Sequence, residues 1–312
     1  MSKLNYTNQH FLKDEEVRTM LVAFADITGD ETCLEIGPGK GVVTREIAKD
    51  AKNVIAIERD ISMKPYLDKL RAEFPNITVI YGNALSCKWP KFDKLVASIP
   101  FNITEPFFSK LFDTKFKYAS LIVGRTFNNE LADSRNEDPR TRLSLLASSY
   151  FDTESLLDIS SKSFDPEPST DANIIGIRPI KKRDQRDISK YLLRALWDQK
   201  TKDVRGALIN GIENFAIDMF DCKTNVRAGA IVDSLGLESY VLDKRPANLD
   251  SSNMCSLYQI IKSQRLAKKI KKFARRGYNE NFEEFENDDR YQKEQNGAYA
   301  EDSHLSLPFA HK

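Results

Sequence analysis

Histidine is nearly missing from this 312-residue chain: there are three, and two of them, His304 and His311, lie in the last nine residues. A histidine-based catalytic dyad or metal cluster is therefore not expected. Cysteine is scarce as well. Cys33, Cys87, Cys222 and Cys255 are scattered without C-x-x-C spacing, which argues against a zinc site and for reduced thiols in a cytosol. No run of eighteen apolar residues occurs, so no membrane span is expected. Met1-Ser2-Lys3-Leu4-Asn5 lacks the apolar stretch of a secretory leader, and a cytoplasmic location is expected. Charge of one sign is not in excess either: 47 basic against 46 acidic residues leave a net charge of +1, which by itself does not announce a nucleic-acid binder. No internal repeat is visible. Apolar residues make up 41 %, enough for a packed core, and the length supports one large and one smaller domain.

Glycine, although sparse, is concentrated where it counts. Thr32-Cys33-Leu34-Glu35-Ile36 is a short apolar run with β character, and Val42–Ala48 has helical periodicity. Between them stand Gly37-Pro38-Gly39-Lys40-Gly41, three glycines in five residues. A strand-to-helix turn without side chains lets backbone approach a ligand closely. The run is neither G-x-x-x-x-G-K-[ST] nor G-x-G-x-x-G. Its G-x-G-x-G form resembles the loop with which a Rossmann-like sheet holds S-adenosylmethionine (SAM). The glycines alone also suit a domain that binds NAD or no cofactor. A second strand, Val54–Ile57, ends at Glu58, where a carboxylate can accept hydrogen bonds from both hydroxyls of a ribose. A third, Ile77–Tyr81, ends at Gly82-Asn83-Ala84, and a fourth, Lys94–Ala97, ends at Ser98. Strands alternating with helices imply a parallel sheet with ligands beyond its carboxyl ends, and the candidate residues all fall there.

Ser98-Ile99-Pro100-Phe101 resembles the loop with which amino-methyltransferases grip a planar amine. The lone pair of an exocyclic amine is delocalised into its ring. Two acceptors on its two N–H bonds draw the nitrogen toward a nucleophilic, pyramidal shape. Ser98 supplies a side-chain oxygen, Ile99 a carbonyl, Pro100 fixes the turn, and Phe101 stacks on the base. In isolation the same four residues also describe an ordinary strand exit with a buried phenylalanine.

Taken together, the segments resemble the rRNA adenine N(6)-dimethyltransferase family, KsgA type and Erm type. Asn8-Gln9-His10-Phe11-Leu12 is similar to the Q-[NH]-F-L segment that closes over SAM. Phe164-Asp165-Pro166-Glu167-Pro168 with Asp171-Ala172 is similar to F-x-P-x-P-x-V-D-[SA]. Arg142-Leu143-Ser144 and Lys244-Arg245-Pro246-Ala247-Asn248-Leu249 resemble the R-L-S helix and the R-P-x-x-L segment. The resemblance covers about residues 5–262. It implies SAM as cofactor, ribosomal RNA or a ribosomal subunit as partner, no metal and a monomer. It places Asn8, Gln9, His10, Leu12, Glu35, Gly37, Gly39, Glu58, Arg59, Asn83, Ala84 and Ser98 around the cofactor. It gives Ser98, Ile99, Pro100, Phe101 and Phe164 to the chemistry, Phe101 and Phe164 sandwiching a flipped adenine. The sequence departs from the commonest pattern at His10 and Ser98 (each for Asn), Asn83 (for Asp) and Phe101 (for Tyr). In Val123–Glu130 only part of the acidic and basic pattern remains.

The expected architecture is α/β: a Rossmann-like SAM-dependent methyltransferase domain over 1–180, a smaller helical RNA-binding domain over 181–262, and a charged tail over 263–312. Ile188–Leu196 and Val204–Phe215 read as amphipathic helices. Lys181-Lys182-Arg183 opens a basic stretch, and residues 262–276 carry eight positive charges in fifteen, suited to phosphate neutralisation or simply solvated. An acidic block from Glu280 to Asp289 follows. The expected function is methylation of the adenine amine in small-subunit rRNA during ribosome biogenesis. An Erm-like enzyme acting on large-subunit rRNA is one alternative. A non-catalytic nucleic-acid-binding relative, suggested by Ser98 and the altered Glu130 helix, is another.

Overall fold

The computed structural model describes residues 10–133, 141–199, 201–221 and 228–263, with Leu266 and Ile270. They divide into two compact units, one formed within 1–182 and 248–257, the other within 183–247 and from 258 onward. The first begins with β1 (Phe11–Leu12) and α1 (Glu15–Ala23). Asp14 caps α1, accepting from the N–H groups of Glu16 (3.1 Å) and Val17 (3.3 Å). Strands and helices then alternate: β2 (Thr32–Ile36), α2 (Val42–Asp50), β3 (Asn53–Glu58), α3 (Lys64–Glu73), β4 (Ile77–Tyr81), β5 (Lys94–Ser98), α4 (Thr104–Leu111) and β6 (Tyr118–Gly124). α5 (Arg125–Asp133) and α6 (Arg142–Tyr150) precede β7 (Phe151–Ile159), β8 (Phe164–Asp165) and β9 (Ala172–Pro179).

The main sheet has the order β4-β3-β2-β5-β6-β9-β7. β4 through β6 pair in parallel, and β9 and β7 join antiparallel. β2, β5 and β6 are buried along nearly their whole length, because helices cover both faces. β7 stands at an edge, with Asp152, Glu154 and Asp158 exposed and a register shift between Ser155 and Leu157. The chain reverses direction across the sheet between β2 and β5, the switch point at which such sheets hold ligands. A separate two-stranded ladder joins β1 to β8, pairing Phe11 with Asp165 and Leu12 with Phe164. Ser163 strengthens it: its carbonyl accepts from the N–H of Lys13 (3.0 Å) and its hydroxyl donates to Asp14 (3.0 Å). Two segments 150 residues apart are thereby one structural piece.

The second unit contains α7 (Ile188–Asp198), α8 (Val204–Phe220), α9 (Ala228–Asp233) and α10 (Ser239–Leu242). Asp187 and Asp203 cap the first two. Gly211 of α8 lies so close to α7 that a Cβ there would come within 2.6 Å of Leu192. α11 (Ser251–Ser263) begins among the residues that return to the first unit. Residues 248–257 fall within the span expected for the helical domain, yet they count with the sheet. There the Leu249 carbonyl accepts from Arg142 at 3.5 Å. No helix among the described residues is long and apolar enough to cross a membrane.

Candidate active site

β2, β3, β4, β5 and β6 run parallel, so their carboxyl ends share one rim, and the candidate residues gather there. Gly37, Gly39 and Gly41 all adopt positive φ (73°, 55° and 80°), a region that side chains rarely enter. Their surroundings differ. A Cβ at Gly41 would meet Leu70 at 2.7 Å, and one at Gly39 would meet the Phe11 ring at 3.1 Å. A Cβ at Gly37 would meet nothing within 4 Å, so the backbone there faces open space. Phe11 thus lies over the glycine loop, with the Lys40 ammonium 5.7 Å from its ring. Leu12, expected near the cofactor, points into the core at 7 % exposure. Neighbouring strand residues face opposite ways, and the sequence pattern could not say which of the two faces the loop.

Glu58 ends β3 almost wholly buried. Its carboxylate accepts the N–H of Gly39 at 2.9 Å and that of Asp60 at 2.7 Å. It therefore holds the glycine loop in shape. Two carboxylate oxygens offer about four lone-pair sites, which leaves acceptors for further donors. Glu35, on β2, is also buried, and its Oε2 has no hydrogen-bond partner. Burial pushes its carboxyl up to about 8, with the nearby Thr44 hydroxyl opposing the effect and the charge of Glu58 adding to it. Such a raised acid favours the fold at low pH. That advantage is full below the ordinary carboxylate range and is lost as pH rises through about 8. Glu35→Gln, which cannot ionise, should therefore gain stability relative to the wild type as pH is raised from 5 to 8. Urea titrations of both proteins across that range check this, and a constant gap would mean that Glu35 is already ionised.

Asn83 and Ala84 follow β4. The Asn83 side-chain oxygen accepts from Leu85 N–H at 3.0 Å and keeps a second lone pair. The Ala84 carbonyl accepts from Trp89 and from Lys110, each at 2.8 Å, and Lys110 donates also to Leu85 and Cys87. Lys110 of α4, which sequence reasoning missed, pins this loop; a lone lysine on a helix carries no signal of that role. Arg59 is exposed beside Glu58. Asn8 and Gln9 lie outside the described residues.

At the end of β5 the Ile99 side chain is buried and its N–H donates to Ile122 at 3.0 Å. The Ile99 carbonyl and the Ser98 hydroxyl have no hydrogen-bond partner among the described residues. Pro100, extended at φ −56° and ψ 128°, turns the chain into a short 3-10 segment that raises Phe101. One ring face of Phe101 lies on Gly124, where a Cβ would come within 3.3–3.5 Å of three ring atoms. This glycine was also missed, although it closes the apolar run of β6. Beside Phe101 a cleft of about 710 Å³ is lined by Glu105, Thr126, Glu130, Arg142, Thr170 and Asp250, among others. Phe164 offers no stacking face. It is 2 % exposed and belongs to the apolar cluster with Leu12, Ile159 and Ala172, held there by the β1–β8 ladder. The expected sandwich of Phe101 and Phe164 is corrected accordingly.

A doubly wound sheet with a glycine loop, a strand-end carboxylate and the Ser98–Phe101 loop on one rim defines a Rossmann-like methyltransferase that uses SAM. The sequence model of the family described as ribosomal RNA adenine dimethylase matches residues 2–242, and the chain belongs to that family. It is 29 % identical over 262 residues to a probable ribosomal RNA small subunit methyltransferase A of Methanococcus aeolicus, covering 81 % of this chain and 96 % of that one. A protein of the same description from Pyrococcus abyssi is 32 % identical over 202 residues, 64 % of this chain and 73 % of that one. Among solved structures, a dimethyladenosine transferase from Plasmodium falciparum shares the fold with a TM-score of 0.57 at 24 % identity, covering 83 % and 98 % of the two chains. The 23S rRNA methyltransferase ErmE shares it with a TM-score of 0.51 at 20 % identity, covering 80 % and 99 %. The rim suits SAM. A buried carboxyl oxygen without a partner at Glu35 is open to a polar group of the cofactor, and the open space at Gly37 admits a ligand against backbone.

Proposed function

We propose that the chain methylates the exocyclic amine of adenine in small-subunit ribosomal RNA, adding two methyl groups, as a cytosolic monomer. The observation that carries this reading is the pair of open acceptors, Ser98 hydroxyl and Ile99 carbonyl, beside the Phe101 ring and on the same rim as the glycine loop. SAM, when bound, supplies a methyl group already activated on a sulfonium, so the protein's part is position and electrostatics. Glu35, Gly37, Gly39, Glu58, Asn83 and Ala84 would hold it. Ser98 and Ile99 accept the two N–H bonds of the adenine and orient its nitrogen. Phe101 bears the base, and Gly124 supports Phe101 from behind. The cleft beside Phe101 has the size of a nucleotide site and would take adjoining RNA. An unpaired adenine in structured RNA leaves its stack at less cost than one in a duplex.

Transfer of tritiated methyl groups from SAM to isolated small and large ribosomal subunits tests the reading. Label in the small subunit, on N6-dimethyladenosine, is expected. Label only in the large subunit would favour the Erm-like alternative, and none in either, from protein that binds SAM, would favour a non-catalytic relative. Ser98 sharpens the test. A serine hydroxyl is shorter than an asparagine amide and must rotate to accept. Ser98→Asn should raise turnover by about tenfold, the value of one well-formed hydrogen bond. A drop in turnover would mean that serine is the better fit here.

A further inference from the structure

The geometry points to Lys110 as a positioning residue for cofactor selection: acting through one peptide unit, its ammonium fixes the Asn83 amide with the oxygen as acceptor for the amino group of the cofactor's adenine. The inference rests on the reading of Glu58 and Asn83 as cofactor contacts and adds what sets the second of them. Lys110 stands on α4, partly buried. An ammonium has three donors, and all three are spent on the loop after β4: on the carbonyls of Ala84 (2.8 Å), Leu85 (3.3 Å) and Cys87. The Trp89 ring lies 5.0 Å from the same ammonium. No carboxylate pairs with Lys110 among the described residues. Nor do the Leu85 and Cys87 carbonyls have another hydrogen-bond partner there.

The Ala84 carbonyl and the Leu85 N–H belong to one peptide unit, which is planar with the two groups pointing opposite ways. Lys110 holds the carbonyl, and the N–H donates to Asn83 Oδ1 at 3.0 Å. Holding one end therefore aims the other. For a carboxylate this would matter little, since both its arms are oxygens. An amide carries oxygen on one arm and a donor on the other, so its orientation decides what it can bind. The Leu85 N–H, a donor only, keeps the oxygen toward itself, and the second lone pair of that oxygen is left for a ligand. The place fits the base. Gly82 N–H donates to the Glu58 carbonyl at 2.7 Å, so the loop starts beside the residue read as the ribose contact. A ribose on Glu58 carries its base toward Asn83. Trp89 steadies the arrangement: its Nε1 donates to the Ala84 carbonyl at 2.8 Å, and its ring packs on Phe107 of α4 with centroids 5.7 Å apart.

The test compares S-adenosylhomocysteine with S-inosylhomocysteine, in which a keto oxygen replaces the amino group, by calorimetric titration of the full chain. Wild type should prefer the adenosyl compound by about tenfold or more, because the keto form sets acceptor against acceptor. Lys110→Met frees the peptide, lets the Asn83 amide turn, and should reduce that preference to about threefold or less. Lys110→Gln, polar but one atom shorter, should show the same loss and serves if methionine prevents folding. The decisive comparison is made in Asn83→Asp, whose carboxylate presents oxygen whichever way it turns. There Lys110→Met or Lys110→Gln should leave the preference unchanged within about twofold. Wild-type preference in both single Lys110 variants would overturn the inference. So would an equal loss in the Asn83→Asp background, which would make Lys110 a prop for the fold alone. A wild type that binds the two compounds equally would take Asn83 away from the base and the inference with it. The expected preferences in a chain that labels no ribosomal subunit would leave the role of Lys110 standing and remove the proposed activity instead.

Discussion

Glu58→Ala should lower the affinity for SAM by about two orders of magnitude or more. A carboxylate that accepts two ribose hydroxyls makes two charge-assisted hydrogen bonds, each worth roughly 1.5–3 kcal/mol. The structure adds a second cost. The same side chain holds the N–H groups of Gly39 and Asp60, and alanine would leave a buried donor and a half-buried one without their partner. Each such group costs about 1–3 kcal/mol. The glycine loop should therefore loosen even without cofactor, and the denaturation midpoint should fall. Calorimetric titration with SAM, paired with urea denaturation, measures the two parts. Glu58→Gln separates them, because its amide oxygen can still serve one backbone donor. Wild-type affinity in Glu58→Ala would show that the ribose lies elsewhere.

Phe101→Ala should cut methyl transfer by about one to two orders of magnitude while leaving SAM affinity nearly intact. The loss reflects one stacked base at about 1–3 kcal/mol. Phe101 is only partly buried against the apolar cluster, so the fold should tolerate its removal. Phe164 provides the contrast. At 2 % exposure its replacement by alanine should cost about 3–5 kcal/mol of stability, as for a buried aromatic elsewhere. Steady-state kinetics and thermal denaturation on the two variants together decide the matter. If Phe101→Ala unfolds as readily as Phe164→Ala, then Phe101 is core and carries no base.

Much of the rim could be read from the chain because local chemistry specifies it. A β-rich run, three glycines and a helix in succession define the turn at Gly37–Gly41, and β2, β4, α7 and α8 begin at the expected residues. Glu58 and Ser98 were legible because each closes an apolar strand. What escaped depends on partners distant in sequence. Nothing around Phe11 says that it will pair with Asp165, and that pairing decides which of Phe11 and Leu12 covers the glycine loop. The motif around Phe164 is legible and points to a ligand-facing role, whereas its burial is not legible. Gly124 and Lys110 act through what they touch, a ring from one loop and three carbonyls from another. The antiparallel arrangement of β7 and β9 likewise arises from closure of the sheet rather than from any local pattern.

The return of residues 248–257 to the unit that holds the sheet has a consequence for how the protein is made. Translation delivers the chain from its amino end, and the cleft beside Phe101 lacks Leu249, Asp250 and Ser251 until four helices of the other unit have left the ribosome. A nascent or truncated chain ending near residue 182 would carry every strand yet an unfinished wall. The wall of that cleft is thus completed only by residues synthesised after the described helices of the other unit, and a continuous piece of the chain ending near residue 182 would lack them.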